Sequence, residues 1–413
     1  MKRLFIILAG VIVLLGILVA AYFLFFSGNK ASLSVGNPFA NTGSGNTAPS
    51  GDLPTTDGTV ANAGTTLGPR FVKITDGPVA AGTIAFDVQL PVSDSVAASA
   101  STSSSTSTAT TPDVEVRFID RASGNVYSYV DHARTLTRIS NKTLPGVQRA
   151  SWLADGTRAY AQFVSTSGGS EHVSTYALDA NGGGGYLLEN DLAQASVSGT
   201  STLFTLLSGT TGSVGSLALA DGSNSHALFS SVLSSLVVHP TNGALFATNK
   251  PSSQLDGYAF SIDRKTGAFS RILGAFRGLT VLPNQTGTQL VYSYTSGGTY
   301  QLRVLDVGSR SSTALPVATF SEKCVWARNS LSVYCAVPTN LQGNLPDDWY
   351  QGAVTFTDRI WKIDLAQHVA TLIVDPSQTA KTSVDAVNLA VDPNEDVLIF
   401  QDKHSGALYA YGL

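Results

Sequence analysis

Features that would identify an enzyme or a metalloprotein are missing from this chain of 413 residues. It has no Gly-x-Ser-x-Gly elbow and no phosphate-binding loop of the Walker type. Charged residues are few, at 13%, and the formal net charge is -4, so we expect no basic face for nucleic acid. The sequence therefore predicts no catalytic residue and no cofactor. Nor does it predict a metal site, because no zinc-type spacing joins the six histidines, which are His132, His172, His226, His239, His368 and His404.

Charge is also absent from a long apolar run near the start of the chain, Leu4 to Phe26. As a helix it would be about 34 Å long, which is enough to cross a membrane. It is longer than the apolar part of a cleaved signal peptide and closes on bulky residues, so we expect an uncleaved anchor. Lys2 and Arg3 precede the run, which predicts a cytoplasmic stub of residues 1–3 and an extracytoplasmic C-terminal domain in the cytoplasmic membrane.

Two segments after the anchor have too few apolar residues to fold alone. Residues 27–69 are rich in Gly, Ser, Thr and Asn and predict a disordered linker. Residues 92–112 include a Ser/Thr run and predict a disordered insertion at a hairpin tip. The remaining residues, 70–413, show no sustained helical periodicity. Short alternating apolar runs separated by turn residues predict strands instead.

These strands recur in units of about 40 to 50 residues. The clearest unit begins at Ala150, turns at Ala154-Asp155-Gly156-Thr157 and continues through Arg158 to Phe163. Similar units of four strands begin near Ala193, Leu236, Gly278, Cys324 and Ala386. A repeat of this length predicts the blades of a β-propeller, because each small sheet buries its faces only against its neighbours.

The two ends of the repeat region predict how the ring closes. The last unit has only three strands, and Arg70–Thr75 has the pattern of a fourth strand. We therefore expect this N-terminal segment to complete the last blade. The first full blade then runs from Val79 to Ser140, and the fold class is all-β, a propeller of seven blades, with six or eight as alternatives.

The pattern of strand, Asp-Gly-Thr turn and strand at Trp152–Phe163 resembles the WD40-like repeat of TolB-type bacterial propellers. Val391-Asp392-Pro393-Asn394 and Leu282-Pro283-Asn284 repeat it loosely. The Gly-His and Trp-Asp pairs of eukaryotic WD40 blades are absent. The resemblance implies a fold, and a fold alone does not imply a function.

The chain has two cysteines, Cys324 and Cys335. A hairpin turn at 328–331 places Ala327 opposite Ser332 and hence the two cysteines opposite each other. Directly opposed residues of antiparallel strands can form a disulfide, and such bonds persist in exported domains. We predict a disulfide here, with two small buried apolar residues as the alternative.

One insertion, Pro338 to Thr357, departs from the short turns of the repeat. It contains Asp347, Asp348, Trp349 and Tyr350, which we interpret as a candidate binding site: the aromatic rings would stack on a partner and the carboxylates would accept hydrogen bonds from it. In the alternative interpretation, Trp349 and Tyr350 fold back and cap the blade.

The sequence thus favours a membrane-anchored binding or assembly module for an envelope protein or a glycan, and not an enzyme. The alternative is a propeller-type enzyme, a polysaccharide lyase or hydrolase that acts on cell-surface polymers. That alternative requires several acidic, His or Arg side chains to meet at one channel mouth.

Overall fold

The computed structural model describes residues 59–60, 65–68, 70–91, 110–199 and 201–413. They belong to a compact unit that runs from Pro54 to Leu413. The predicted stub, the predicted membrane span at residues 4–26, most of the predicted linker and residues 92–109 of the predicted insertion lie outside the described residues. Within the described part, no helix is long and apolar enough to cross a membrane.

The described residues form an all-β structure of six antiparallel sheets. The first sheet has the strand order β1 (Thr59–Val60), β7 (Thr135–Arg138), β6 (Val126–Val130), β5 (Thr110–Ile119) and β4 (Ile84–Pro91). The second has β11 (Gly185–Leu187), β10 (Ser170–Asp179), β9 (Arg158–Ser167) and β8 (Val147–Trp152). The third has β12 (Leu192–Ser198), β13 (Thr202–Gly209), β14 (Gly212–Leu219) and β15 (His226–Ser231).

The fourth sheet has seven strands, because one long strand belongs to two consecutive repeats. Its order is β16 (Leu236–Pro240), β17 (Leu245–Asn249), β18 (Asp256–Ile262), β19 (Phe269–Pro283), β20 (Gln289–Ser296), β21 (Thr299–Asp306) and β22 (Ser312–Ala314). The fifth sheet has β23 (Cys324–Trp326), β24 (Ser332–Pro338), β25 (Asp358–Asp364) and β26 (Val369–Val374). The sixth has β2 (Thr65–Gly68), β3 (Phe71–Lys73), β29 (Leu408–Gly412), β28 (Val397–Asp402) and β27 (Ala386–Val391).

Helical structure is confined to single turns in the described residues. A 3₁₀ turn at Ser321–Lys323 precedes β23, α1 (Asp347–Tyr350) lies in the insertion between β24 and β25, and α2 (Pro376–Thr379) follows β26. The absence of sustained helical periodicity in the repeat region agrees with this.

The turn of the clearest repeat has the predicted form. Gly156 has a positive φ of 68°, which favours glycine. The Asp155 carboxylate accepts hydrogen bonds from the backbone and the hydroxyl of Thr157, and Leu153 N–H donates to the carbonyl of Arg158. An Asp-Gly-Thr turn therefore joins the first two strands of this sheet.

The N-terminal segment completes the last sheet, as predicted. β3 pairs antiparallel with β29, with Phe71 opposite Tyr411 and Lys73 opposite Tyr409. Two short strands, β1 and β2, lie within the segment predicted as a linker; β1 pairs with β7 and β2 pairs with β3. An N-terminal strand, β3, and the C-terminal strand β29 are therefore neighbours in one sheet.

The core lies between neighbouring sheets. One cluster joins the first and sixth sheets through Val116, Tyr129, Val72 and Ile399. A second cluster joins the fifth and sixth sheets in the same way. Each sheet thus buries its two faces against adjacent sheets, which is the packing that the repeat predicts.

The predicted disulfide is present. Cys324 and Cys335 are opposite each other in the β23–β24 pair, their Cα atoms are 4.0 Å apart, and an S–S bond of 2.09 Å joins them. Ala327 N–H donates to the carbonyl of Ser332, as the predicted hairpin turn requires.

Candidate functional site

Polar side chains gather in the insertion between β24 and β25 and in a cavity lined by the first strands of several sheets. The insertion begins where β24 ends, at the edge of the sheet where β23 begins, because these strands are antiparallel. At its base, Thr339 N–H donates to the carbonyl of Thr357. The insertion therefore lies at the sheet edge that also carries the 3₁₀ turn ending at Lys323.

Trp349 is buried, with 4% of its surface exposed. Its ring stacks on Phe320 with ring centroids 4.8 Å apart, and its Nε1–H donates to Asp385 Oδ2 at 3.0 Å. Lys403 Nζ lies 4.8 Å from the centroid of the Trp349 ring, and burial lowers the pKa of this lysine. The ring is thus enclosed by its own chain, as in the alternative interpretation of the insertion.

The other three predicted site residues also contact their own chain. Tyr350 is half-buried, and its hydroxyl donates to Glu322 Oε2 at 2.7 Å. Asp347 Oδ2 accepts a hydrogen bond from Ser253 N–H at 2.5 Å, and Asp348 Oδ2 accepts one from Asn344 N–H at 2.7 Å. The structure brings the four residues together on α1; that they bind a partner stays a prediction.

Electrostatics around these residues follow from burial. Burial raises the pKa of Glu322, although the hydrogen bond from Tyr350 acts in the opposite direction. For Asp347, burial would raise the pKa, but the hydrogen bonds from Ser253 and Ser252 outweigh it and the pKa is lowered. Asp347 is therefore ionised at neutral pH and holds the insertion to the turn between β17 and β18.

A buried ion cluster lies beneath the insertion, and sequence reasoning missed it. Lys323 is 0% exposed, and its Nζ lies 2.7 Å from Asp358 Oδ2 and 2.5 Å from Asp385 Oδ1. Asp385 Oδ2 accepts hydrogen bonds from Trp349 Nε1–H and from Phe356 N–H. The cluster therefore joins two residues of the insertion to the start of β27.

Asp358 is the member of this cluster that has an unpartnered carboxylate oxygen in the described part of the chain. It is 0% exposed, and its Oδ1 has no hydrogen-bond partner among the described residues, while Oδ2 accepts from Ala386 N–H at 2.7 Å. Burial raises its pKa to about 6, although the charge of Lys323 acts to lower it. One cation thus faces two carboxylates, and below about pH 6 a proton on Asp358 balances the charge.

We expect this carboxyl to make stability depend on pH. Its pKa is higher in the folded chain than the ordinary value of 3.8, so the folded state binds more protons between about pH 4 and pH 6. Its contribution to the free energy of unfolding therefore falls by up to about 3 kcal/mol as the pH rises through this window. Urea denaturation of the wild type and of Asp358→Asn at several pH values isolates the effect. The variant should gain stability relative to the wild type as the pH rises, and a constant difference would contradict the assignment.

The second region is a cavity of about 740 Å³, which we call the inner-strand cavity. Its walls come from β8, β12 and β16, from the end of β19, from two residues before β4 and from one residue in β27. Its larger polar side chains belong to Arg149, Gln194, His239, Asn284, Gln285 and Asn388. Sequence reasoning did not identify these residues, because they lie far apart in the chain and have no shared motif.

Several of these polar groups stabilise the walls. Gln194 Oε1 accepts from Val238 N–H at 3.1 Å and so ties β12 to β16. Asn284 Oδ1 accepts from Thr288 N–H at 3.0 Å, and Asn388 Nδ2–H donates to Gln401 Oε1 at 2.8 Å. These groups are already satisfied within the fold and fix the shape of the cavity.

Three side chains of the inner-strand cavity are different. In the described part of the chain, no hydrogen-bond partner is found for the side chains of Arg149, His239 and Gln285. Arg149 and Gln285 are exposed and His239 is half-buried. Burial lowers the pKa of His239 to about 4, so its ring is neutral at pH 7. These three residues offer free polar groups within one concave site. Over the described residues as a whole, no group of three or more His, Cys, Asp or Glu could hold a metal ion.

Comparison with solved structures gives relatives of the fold. An oligogalacturonate lyase in complex with manganese matches with a TM-score of 0.51 and 10% identity, over 73% of this chain and 86% of that one. An oligogalacturonate lyase from Vibrio parahaemolyticus matches with a TM-score of 0.50 and 7% identity, over 82% and 98%. TolB from Acinetobacter baumannii matches with a TM-score of 0.43 and 10% identity, over 70% and 78%.

No protein-family model matches the sequence, and no curated protein matches it. The matching solved structures confirm the predicted resemblance to TolB-type and other WD40-like propellers at the level of the fold. At these identities, the similarity concerns the fold alone.

Proposed function

We propose that the chain is a membrane-anchored binding module that captures an envelope protein or a glycan in the inner-strand cavity. The observation that carries the proposal is the set of unpartnered side chains, Arg149, His239 and Gln285, in a site with rigid walls. A cavity of about 740 Å³ falls within the size range of ligand sites, which are concave and have few polar groups. Walls made of strands from several sheets preorganise such a site.

The architecture that we propose has seven blades. Division of the seven-stranded sheet within β19 gives two units of the repeat, and the other five sheets give one unit each. The pairing of β3 with β29 supports closure of the ring. In this arrangement the first strands of the blades surround the inner-strand cavity. The helix at residues 4–26 holds the propeller outside the cytoplasmic membrane, with the N-terminus inside.

Site-directed photocrosslinking in intact cells tests the binding proposal. A photoreactive benzoylphenylalanine replaces Gln285 in the cavity, or Leu372, a residue on the outer strand β26 that is 45% exposed. We expect an adduct of higher mass from position 285 and none from position 372. A third position, Asp348, tests the predicted site on the insertion. Equal adducts at 285 and 372, or none at 285, would contradict capture of an envelope partner in the cavity.

The same cells test the membrane anchor, and the purified chain tests the alternative of an enzyme. The chain should stay in the membrane fraction after a carbonate wash, and its C-terminal domain should be digested by protease added to spheroplasts. Release by carbonate or full protection from protease would contradict the proposed topology.

Shortened products of a cell-surface polysaccharide after incubation with the purified chain would replace the binding module by a lyase or hydrolase.

A further inference from the structure

The charge of the inner-strand cavity differs from that of the chain as a whole. Acidic residues outnumber Lys and Arg, 29 to 25, in the full sequence. Among the residues that line the cavity, all of them in the described part of the chain, there is no Asp and no Glu. Arg149 is the one lining residue with a formal charge at pH 7, because His239 is neutral there. The cavity therefore has a local excess of positive charge, which a concave wall of low dielectric focuses.

Arg149 is free to use this charge. In the described residues, the half-buried Arg117 and Arg158 each have a carboxylate partner: Arg117 Nε lies 2.6 Å from Glu115 Oε1, and Arg158 Nε lies 2.7 Å from Asp179 Oδ1. Arg149 has neither an ion pair nor a side-chain hydrogen bond to a described residue. A guanidinium has five N–H donors in a planar fork that fits a carboxylate in a bidentate manner. The free guanidinium thus selects an anion, with a carboxylate as the best geometric match.

The other two free groups select a different chemistry. A neutral His239 ring has one donor and one acceptor nitrogen, and the Gln285 amide has both donors and an acceptor. Groups that both donate and accept match hydroxyl groups, which do the same. Apolar residues complete the wall, among them Ala150, Leu236 and Leu282, and can pack on a sugar ring. The cavity therefore combines one anion-binding group with partners for hydroxyls.

We infer that the inner-strand cavity binds an acidic saccharide, with Arg149 paired to the carboxylate of a sugar residue and His239 and Gln285 bonded to its hydroxyls. This inference rests on the proposed function and gives its ligand a chemical class. Loss of a charge-assisted pair within a cavity costs about tenfold to a hundredfold in affinity. The carboxylate of the sugar and the guanidinium of Arg149 should therefore have effects of equal size on binding.

The test is a titration of the full-length chain in detergent with three probes: D-glucuronate, D-glucose and inorganic phosphate. Calorimetry or ligand-observed NMR gives the affinity of each. We expect glucuronate to bind at least about tenfold more tightly than the other two. Arg149→Gln should reduce glucuronate binding to the level of glucose, and Arg149→Lys should restore part of it. Arg310→Gln, a change at an exposed arginine outside the cavity, is the matched control and should have no effect.

Three results would overturn the inference: equal binding of glucose and glucuronate, phosphate binding as tight as that of glucuronate, or full glucuronate binding by Arg149→Gln. Failure here is distinguishable from failure of the proposed function. Adducts from position 285 without glucuronate binding would keep the binding module and reject the acidic saccharide. Glucuronate binding that depends on Arg149, without adducts in cells, would place a saccharide in the cavity and reject capture of an envelope partner.

Discussion

Replacement of Lys323 by Met is expected to lower the free energy of unfolding by about 3 to 5 kcal/mol. The Lys323 ammonium group is completely enclosed and is within 2.7 Å of a carboxylate oxygen on each of Asp358 and Asp385. Without it, two buried carboxylates face each other with no cation between them. Removal of one partner of a buried ion cluster is costly because the remaining charge is uncompensated. Urea denaturation followed by circular dichroism measures the loss.

A second lysine that pairs with a carboxylate but is partly exposed serves as a matched control for the effect of burial. Lys362 lies 2.9 Å from Glu395 Oε2, but its side chain is 39% exposed. Lys362→Met should therefore cost less than about 1 kcal/mol, since solvent screens an exposed pair. The triple change of Lys323 to Met and of both aspartates to Asn should recover part of the loss. If Lys323→Met and Lys362→Met have the same small effect, the cluster does not stabilise the fold.

Deletion of β3 is expected to unfold the domain. A chain that begins at Val79 loses Phe71, Val72 and Ile74, which are at most 4% exposed. Burial of three such side chains contributes on the order of 5 to 9 kcal/mol, which approaches the whole stability of a typical domain. Phe71 also stacks on Phe400 and Tyr409, with ring centroids 5.8 and 5.6 Å apart. Thermal unfolding and limited proteolysis measure the effect.

Two controls make this result specific to ring closure. A chain that begins at Pro69 keeps β3 and should stay folded, although it lacks β1 and β2. A synthetic peptide of residues 69–78, added to the chain that begins at Val79, should restore protection from protease, because it can re-form the β3–β29 pair. Equal stability of the chains that begin at Pro69 and at Val79 would contradict closure by β3.

Local patterns predicted much of the fold. The Cys324–Cys335 register followed from the length of one hairpin turn, and the role of β3 followed from a missing strand at the other end of the chain. The first inference depends on the geometry of a short turn, and the second depends on the number of strands in each repeat. The continuity of β19 was not predicted, because the repeat pattern places the start of a new unit near Gly278. In the structure, Gly278 has a positive φ of 64° at a bulge, and the strand continues beyond it.

Side-chain sites were harder to predict. Lys323, Asp358 and Asp385 come from three segments, and each residue looks like an ordinary surface charge in its own segment. Trp349 lies in a loop rich in Asp, Gly and Pro, a composition that is typical of an exposed segment. In the structure its ring nevertheless stacks on Phe320, and its Nε1–H donates a hydrogen bond to Asp385. Arg149 and Gln285 are 136 positions apart in the chain and line one cavity. Contacts of this kind depend on the three-dimensional arrangement of the sheets.

The long strand β19 has a mechanical consequence. It pairs with β18 along its first part and with β20 along its last part, so a continuous hydrogen-bonded ladder crosses from one repeat to the next. No other boundary between repeats in the described residues has such a strand; side-chain packing and isolated backbone hydrogen bonds join the remaining sheets. Relative sliding of the two units at β19 would require the hydrogen bonds of a strand ladder to break, whereas isolated backbone hydrogen bonds, such as those of Ala81 with Gln148 and Ala150, cross another boundary. We therefore expect the two units between Leu236 and Ala314 to resist sliding more than the units at the other boundaries do.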